Sequence, residues 1–333
     1  MITSVVADPA AHANFLWRNG QLVPWEEANV HVSAVGHASV AAVFEGLKAY
    51  WNADEQQLYC FRLPEHMGRL LSSARLARVK CSWTEEQLIE AVVQLLEANH
   101  TRQDTYIRPW LFAAGLIRDQ MVPANIDTEL VIDTWPFTAA AADRNCSAGI
   151  SSWMRISERL MPPRIKAFSN YSNGRLGTIE AQLNGYDCPI FLNESGMVTE
   201  SAGACIAVVR KGTVYTPPLS AGILDSLTRA TLLTILPENG IPVREMDLTR
   251  TDLYLADEAF FMGTGWEVLP IRQVDGLAYA AGAPGPITTQ IATKYLQIVR
   301  GKSPAHRAWL TPVWAGSLAE APEPAREVVQ ATY

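Results

Sequence analysis

The sequence has little cysteine, little lysine and little net charge for its length. Its five cysteines, Cys60, Cys81, Cys146, Cys188 and Cys205, are scattered over 333 residues and form no CxxC pair. That excludes a dense disulfide framework and a paired-thiol metal site, and it suits reduced thiols in a cytoplasmic protein. No uninterrupted apolar run is long enough to span a bilayer. The start, Met-Ile-Thr-Ser-Val-Val-Ala-Asp, lacks a basic stretch followed by an apolar one, so no secretory signal is expected. A net charge of −7 argues against a nucleic-acid binder driven by phosphate neutralisation. No GxGxxG follows a strand pattern, which disfavours a dinucleotide fold, and neither HExxH nor a Ser-His-Asp order occurs. His31 and His37 have no further donors at metal-ligand spacing, so both are expected to be structural and no metal is expected. Internal repeats are absent.

What is present is a core-forming composition. Hydrophobic residues make up 48% and charged residues 18%, enough for two domains or one large one. Asn19-Gly20 between two apolar stretches predicts a hairpin. Val43–Trp51, Leu58–Phe61, Thr105–Ala113 and Glu129–Phe137 have strand patterns. Pro64 opens a helix, and Thr84-Glu-Glu-Gln87 is a capping box ahead of a second. After an Ala-rich stretch come strands at Ile150–Ile156, Cys188–Leu192, Cys205–Arg210, Thr213–Thr216, Val243–Met246, Glu258–Met262 and Val268–Val274. Among them lie helices at Ser172–Gly185, Ser226–Leu236, Thr249–Leu255 and Pro286–Val299. Hairpins mixed with helices, without regular strand–helix alternation, predict an α+β fold. The expected division is a small N-terminal α+β domain over 1–137, a linker over 138–146 and a large domain over 147–302. A tail over 303–333 is expected to dock loosely through Trp309 and Trp314 or to be partly disordered.

The chemistry concentrates in Met161–Glu200. Lys166 stands between Ile165 and Ala167, ahead of a polar run from Ser169 to Asn173. An ammonium stripped of water gives up its proton more readily, and a free lysine amine attacks an aldehyde. A lysine snorkelling from a strand end has the same local pattern.

Several stretches in one order carry a resemblance. They are Val43-Phe-Glu-Gly46, Glu65-His-Met-Gly-Arg-Leu70, Tyr106-Ile-Arg-Pro109, Lys166-Ala-Phe-Ser-Asn-Tyr171, Val198-Thr-Glu-Ser-Ala-Gly203, Tyr215-Thr-Pro-Pro218 and Leu253-Tyr-Leu-Ala-Asp-Glu258. Together they resemble the fold-type IV (class IV) pyridoxal-phosphate aminotransferases, branched-chain amino acid aminotransferases above all, from about Phe15 to about Gly301. The resemblance implies a two-domain enzyme with pyridoxal 5′-phosphate in the interdomain cleft. It makes Lys166 the lysine that carries the cofactor and later moves the proton at the substrate Cα. It puts Glu200 on the pyridine nitrogen and Tyr171 on the ring hydroxyl. Arg69, the helix start at Leu227 and Thr228, and the Gly263-Thr264 loop fall on the phosphate. On local pattern alone, Glu200 is equally a hairpin-loop carboxylate and Arg69 an exposed helix arginine.

Phe44, Tyr106 and Arg108 match positions on the substrate side. There the chain departs from the family. Ala38-Ser39-Val40 replaces His-Tyr-Gly, so Ser39 is expected to open the pocket. Gly265-Trp266 replaces a small pair, so Trp266 is expected to fill it, unless the indole belongs to the core. Ala204-Cys205 replaces Glu-Asn, and Ser226 stands where glycine is usual. The implied activity moves an amino group between an amino acid, glutamate or a branched-chain or hydrophobic one, and a 2-oxo acid by a ping-pong cycle. The implied assembly is a homodimer, or a higher homo-oligomer, whose neighbouring subunit completes the substrate pocket. The alternatives are an amine or D-amino-acid transaminase, or a lyase like aminodeoxychorismate lyase, on the same fold. A catalytically silent binding protein on this scaffold is a third. Neither nucleic acid nor membrane is an expected partner.

Overall fold

Two eight-stranded sheets organise the chain. The computed structural model describes residues 12–115, 122, 125–137 and 144–314. The first sheet is antiparallel and runs Leu310–Pro312, Gln57–Phe61, Leu47–Asn52, Thr105–Ala113, Thr128–Pro136, Phe15–Arg18, Gln21–Pro24. Ala42–Phe44 pairs separately with Thr105–Ala113. The second is mixed and runs Val243–Glu245, Thr213–Thr216, Cys205–Arg210, Glu258–Gly263, Glu267–Val274, Cys146–Ile150, Cys188–Ile190, with Leu277–Ala278 on its Glu267–Val274 strand. This is an α+β architecture. No helix among the described residues is long and apolar enough to cross a membrane.

Local chemistry accounts for many of the elements. Asn19 and Gly20 both take positive φ, 48° and 92°, the pair of values a two-residue hairpin needs. Thr84 Oγ1 accepts from Gln87 N at 3.3 Å while Gln87 Oε1 accepts from Thr84 N at 2.9 Å, so the capping box opens the Glu85–Ala98 helix. That helix and Leu63–Leu76 bury Met67, Leu70, Leu88, Val92 and Leu95 against Leu47 and Ile107 of the first sheet. Fully burying each such side chain stabilises by about 1.5–3 kcal/mol. A second cluster joins the sheets. Tyr50, Tyr59 and Phe61 come from the first, Phe260 and Met262 from the second, and Ile291 and Tyr295 from the Pro286–Val299 helix.

Three expectations are corrected. Val43–Trp51 is two strands, because Glu45 and Gly46 turn aside: Glu45 N donates to Pro109 O at 2.8 Å and Gly46 N to the Glu45 carboxylate at 3.3 Å. The strand expected at Ile150–Ile156 lies earlier, at Cys146–Ile150. Beyond it, Ser151 N and Arg155 N still bond Ile190 O and Leu192 O, both at 2.9 Å, but between them Glu180 accepts from the hydroxyls of Ser151 and Ser152 and from Ser152 N, which interrupts the ladder. Residues 303–314 dock through Trp309 and Trp314 as expected, but tightly rather than loosely. Leu310–Pro312 forms an edge strand of the first sheet, Trp309 packs on Phe61, and Trp314 packs against the first core. Of the expected linker, residues 138–143 lie outside the described residues, as do 315–333 of the tail, and Cys146 already begins a strand.

Candidate active site

The two sheets enclose a cavity of about 330 Å³. Lys166 reaches it from an irregular stretch pinned on both sides. Its N–H donates to Ser73 Oγ at 3.1 Å, and its carbonyl accepts from Phe44 N at 3.0 Å. Asn170, buried, secures the turn by donating to the carbonyls of Pro162 and Ile165 at 3.1 and 2.9 Å. Thus held, Lys166 Nζ donates to Tyr171 Oη at 2.7 Å and stands 4.7 Å from the centre of the Phe44 ring. Phe44 is itself stacked on Phe168 at 4.2 Å. The amine therefore has an apolar wall on one side and a phenol that can share its proton.

Glu200 is 3% exposed and lines the same cavity. Its Oε1 accepts from Arg155 Nη2 at 2.7 Å and from Leu224 N at 3.1 Å. Its Oε2 receives only a long contact from the Cys205 thiol, at 3.6 Å. A thiol is a weak donor, so Oε2 keeps its capacity to accept a strong hydrogen bond from a ring N–H. Burial, then the Glu200 charge, pushes the Cys205 thiol well above its ordinary range and keeps it protonated.

Three elements carry N–H donors beside the cavity. Arg69, on the Leu63–Leu76 helix, is gripped by Glu45 through Nε at 2.7 Å and Nη2 at 2.9 Å, and its Nη1 donates to Asp225 O at 2.6 Å. A guanidinium has five N–H donors, so two remain after these three bonds. Glu45 is fully buried and also accepts from His66 Nδ1 at 2.7 Å. Burial would raise its pKa, but the charge and hydrogen bonds of Arg69, helped by His66, hold the carboxyl well below the usual range. Ser226 caps the Leu227–Glu238 helix, its Oγ accepting from Arg229 N at 3.3 Å. The N–H groups of Leu227 and Thr228 then lack carbonyl partners within the helix, which makes this helix start attractive to an anion. The third element is the turn Gly263–Trp266, closed by Trp266 N on Gly263 O at 3.1 Å. A Cβ on Gly263 would lie 3.0 Å from Gly203 O, so the close approach of two backbones requires glycine there.

The substrate-side residues divide. Tyr106 enters the cavity and packs so tightly over Gly46 that a Cβ there would lie 1.9 Å from its Oη. Burial keeps the Tyr106 phenol protonated by raising its pKa. Gly265 and Trp266 line the cavity, and the indole also meets Phe261 at 5.4 Å, so Trp266 is at once wall and core. Arg108 follows Tyr106 along one face of its strand but does not line the cavity. It reaches Asp133 at 3.4 Å, lies over Trp135 at 4.8 Å, and leaves Nε buried without a partner. Ser39 does not line the cavity either. It sits exposed on the short Val35–Val40 helix with Oγ donating to Val35 O at 2.8 Å. In a single chain, Ser39 therefore opens nothing.

Sequence reasoning missed Glu45 and Arg155 as parts of this site. Glu45 could have been suspected, as a carboxylate inside an otherwise apolar strand pattern. Arg155 offered no signal, because its partner Glu200 is 45 residues away.

Residues 42–274 match the family model for amino-transferase class IV. A probable branched-chain-amino-acid aminotransferase of Aquifex aeolicus is 35% identical over 305 residues, covering 90% of this chain and 97% of the relative. The crystal structure of a branched-chain amino acid aminotransferase from Thermobaculum terrenum in its PLP form superposes with a TM-score of 0.88 at 43% identity, over 91% of this chain and 99% of that one. The enzyme from Thermoproteus uzoniensis, solved with norvaline, gives 0.85 at 39%, over 91% and 100%. With family model, relatives and cavity in agreement, this chain belongs to the class IV aminotransferases.

Proposed function

We propose that the chain is a pyridoxal-phosphate transaminase that exchanges an amino group between glutamate or a branched-chain or other hydrophobic amino acid and a 2-oxo acid. The carrying observation is the Lys166–Tyr171 pair, 2.7 Å apart, in one cavity with the buried Glu200. The donor set fits pyridoxal phosphate: a primary amine for the aldehyde, a carboxylate with a free lone pair for the ring nitrogen, and a phenol for the ring hydroxyl. For the phosphate there are Arg69, the Leu227 and Thr228 N–H groups and the Gly263–Thr264 turn. When bound, the cofactor supplies the electron sink that makes the substrate Cα–H acidic.

The protein's part is to hold and to move protons. Glu200, held by Arg155 at 2.7 Å, would offer its other oxygen to a protonated ring nitrogen. The Lys166 amine would carry the proton from the substrate Cα, and Tyr171 Oη at 2.7 Å would steady it. Phe44 and Tyr106 give the amine's surroundings apolar faces. Relatives named for branched-chain amino acids support the substrate class, while Trp266 narrows the pocket.

The working form is inferred to be a cytoplasmic homodimer of two-domain protomers. The face around the Val35–Val40 helix supports a second copy: Val32 and Val40 are 80% and 67% exposed. That copy would bury them and bring Ser39 toward a neighbouring cavity. The free cysteines suit a reducing compartment.

The test is borohydride reduction of the cofactor-loaded protein followed by peptide mapping, with an adduct on Lys166 expected. An adduct on another lysine would sink the assignment. A donor and acceptor screen with chiral product analysis separates this activity from an amine or D-amino-acid transaminase and from a lyase.

A further inference from the structure

The turn Gly263–Trp266 is tied to the other sheet by a buried charge that none of the chemistry above uses. Lys48, on the Leu47–Asn52 strand, is 5% exposed. Its Nζ donates to Glu267 Oε1 at 3.0 Å and makes a longer contact with Gly265 O at 3.4 Å. Tyr50, on the same strand, donates its hydroxyl to the same Glu267 oxygen at 2.9 Å. Burial lowers the Lys48 pKa, and Glu267 opposes that fall.

The carboxylate that receives these bonds sits in a strained place. Glu267 follows Trp266 directly and takes φ 58°, the left-handed region where glycine is the usual occupant. It pairs with Gly263 across the hairpin, so its conformation sets how the intervening turn is presented. A glutamate there gives up conformational ease and gains an anchor 219 residues away in sequence. Backbone strain of this kind persists only where the surroundings over-determine it.

We propose that Lys48 is a positioning residue: through Glu267 and the Gly265 carbonyl it fixes the turn that carries Trp266, and so sets where the indole stands as a wall of the substrate cavity. This inference rests on the transaminase reading for its kinetic consequence and on the geometry alone for its structural one.

The experiment compares holoenzymes carrying Lys48→Met, Lys48→Arg and the doubly neutral Lys48→Met/Glu267→Gln. The last guards against misfolding from an unpaired buried carboxylate. The first readout is the Trp266 contribution to near-ultraviolet circular dichroism, taken as the difference between each protein and its Trp266→Phe counterpart. It should collapse in Lys48→Met and in the double variant, and persist in Lys48→Arg. The second is the ratio of kcat/KM for 2-oxoisocaproate to that for 2-oxobutyrate. Loss of Lys48 should shift it on the order of threefold or more, and should leave it unchanged once Trp266 is already alanine. A Trp266 signal and a ratio that both ignore Lys48, with only the melting temperature falling, would overturn the inference and leave the transaminase reading intact. A wild-type protein that turns over no 2-oxo acid, yet whose Trp266 signal follows Lys48, would overturn the activity and uphold the inference.

Discussion

The surroundings of Lys166 and those of Arg108 and Ser39 are finished to different degrees. Around Lys166 the chain meets its own needs: backbone pins at Ser73 and Phe44, a phenol on the amine, and a guanidinium on Glu200. Arg108 and Ser39 stay outside the cavity wall: Arg108 leaves Nε buried without a partner, and Ser39 bonds only its own helix. The first set of contacts is specified by one chain folding on itself. The second pair is not brought to the cavity by the fold of a single chain. Differences between enzymes of this architecture should therefore concentrate in the second.

Substitutions can break that contrast, and the largest effect falls on the self-contained side. Lys166→Ala should remove the proton carrier and lower kcat on the order of 10⁴-fold, with the absorbance of bound cofactor shifted toward that of the free aldehyde. Retained turnover in single-turnover stopped flow would end the assignment. Arg69→Ala should cost about 3–5 kcal/mol of stability, because it leaves Glu45 buried with only the His66 imidazole hydrogen-bonded to it, and should weaken cofactor binding in a spectral titration. An unaltered cofactor affinity would remove Arg69 from the phosphate side. Glu200→Gln should slow single-turnover chemistry by about 1.5–3 kcal/mol, roughly 10- to 150-fold, while cofactor retention changes little.

A pH experiment sharpens the same contrast. The folded-state pKa of Glu45 is depressed, so its contribution to stability is complete above the unfolded carboxylate value of about 4.3. It is lost progressively as pH falls below that value toward the folded one. The wild-type melting temperature should drop through this acid window. Glu45→Gln should start lower at neutral pH and flatten there; parallel curves would assign the acid loss to other carboxylates. The smallest effect belongs to the substrate side. Trp266→Ala should raise activity on 2-oxoisocaproate relative to the best substrate by about 1–3 kcal/mol of discrimination. Loss of thermal stability with an unchanged substrate ratio would show the indole acting as core alone.

Legibility in the sequence followed the distance over which each feature is decided. The Asn19-Gly20 hairpin and the Thr84–Gln87 box are settled within four residues, and both form as expected. The Lys166 region was readable from its order of residues, although its backbone supports at Ser73 and Phe44 come from other elements. Charge partners were opaque. Glu45 meets Arg69 across 24 residues, Glu200 meets Arg155 across 45, and Lys48 meets Glu267 across 219. Nothing in propensity or periodicity encodes such pairs. The split of Val43–Trp51 failed to register for a related reason: the Glu45 side chain is held by a helix arginine 24 residues away. The substrate departures at Ser39 and Trp266 were visible as substitutions, but whether each faces the cavity depends on the surrounding fold.

The edge strand at Leu310–Pro312 carries a consequence for biosynthesis. Its partner, Gln57–Phe61, leaves the ribosome some 250 residues earlier. Until the last part of the chain emerges, the early sheet presents a bare edge to its crowded surroundings, where unpaired strands recruit one another. Ribosome-bound chains stopped before Leu310 should therefore hold a chaperone at Gln57–Phe61 that the released, full-length chain no longer binds.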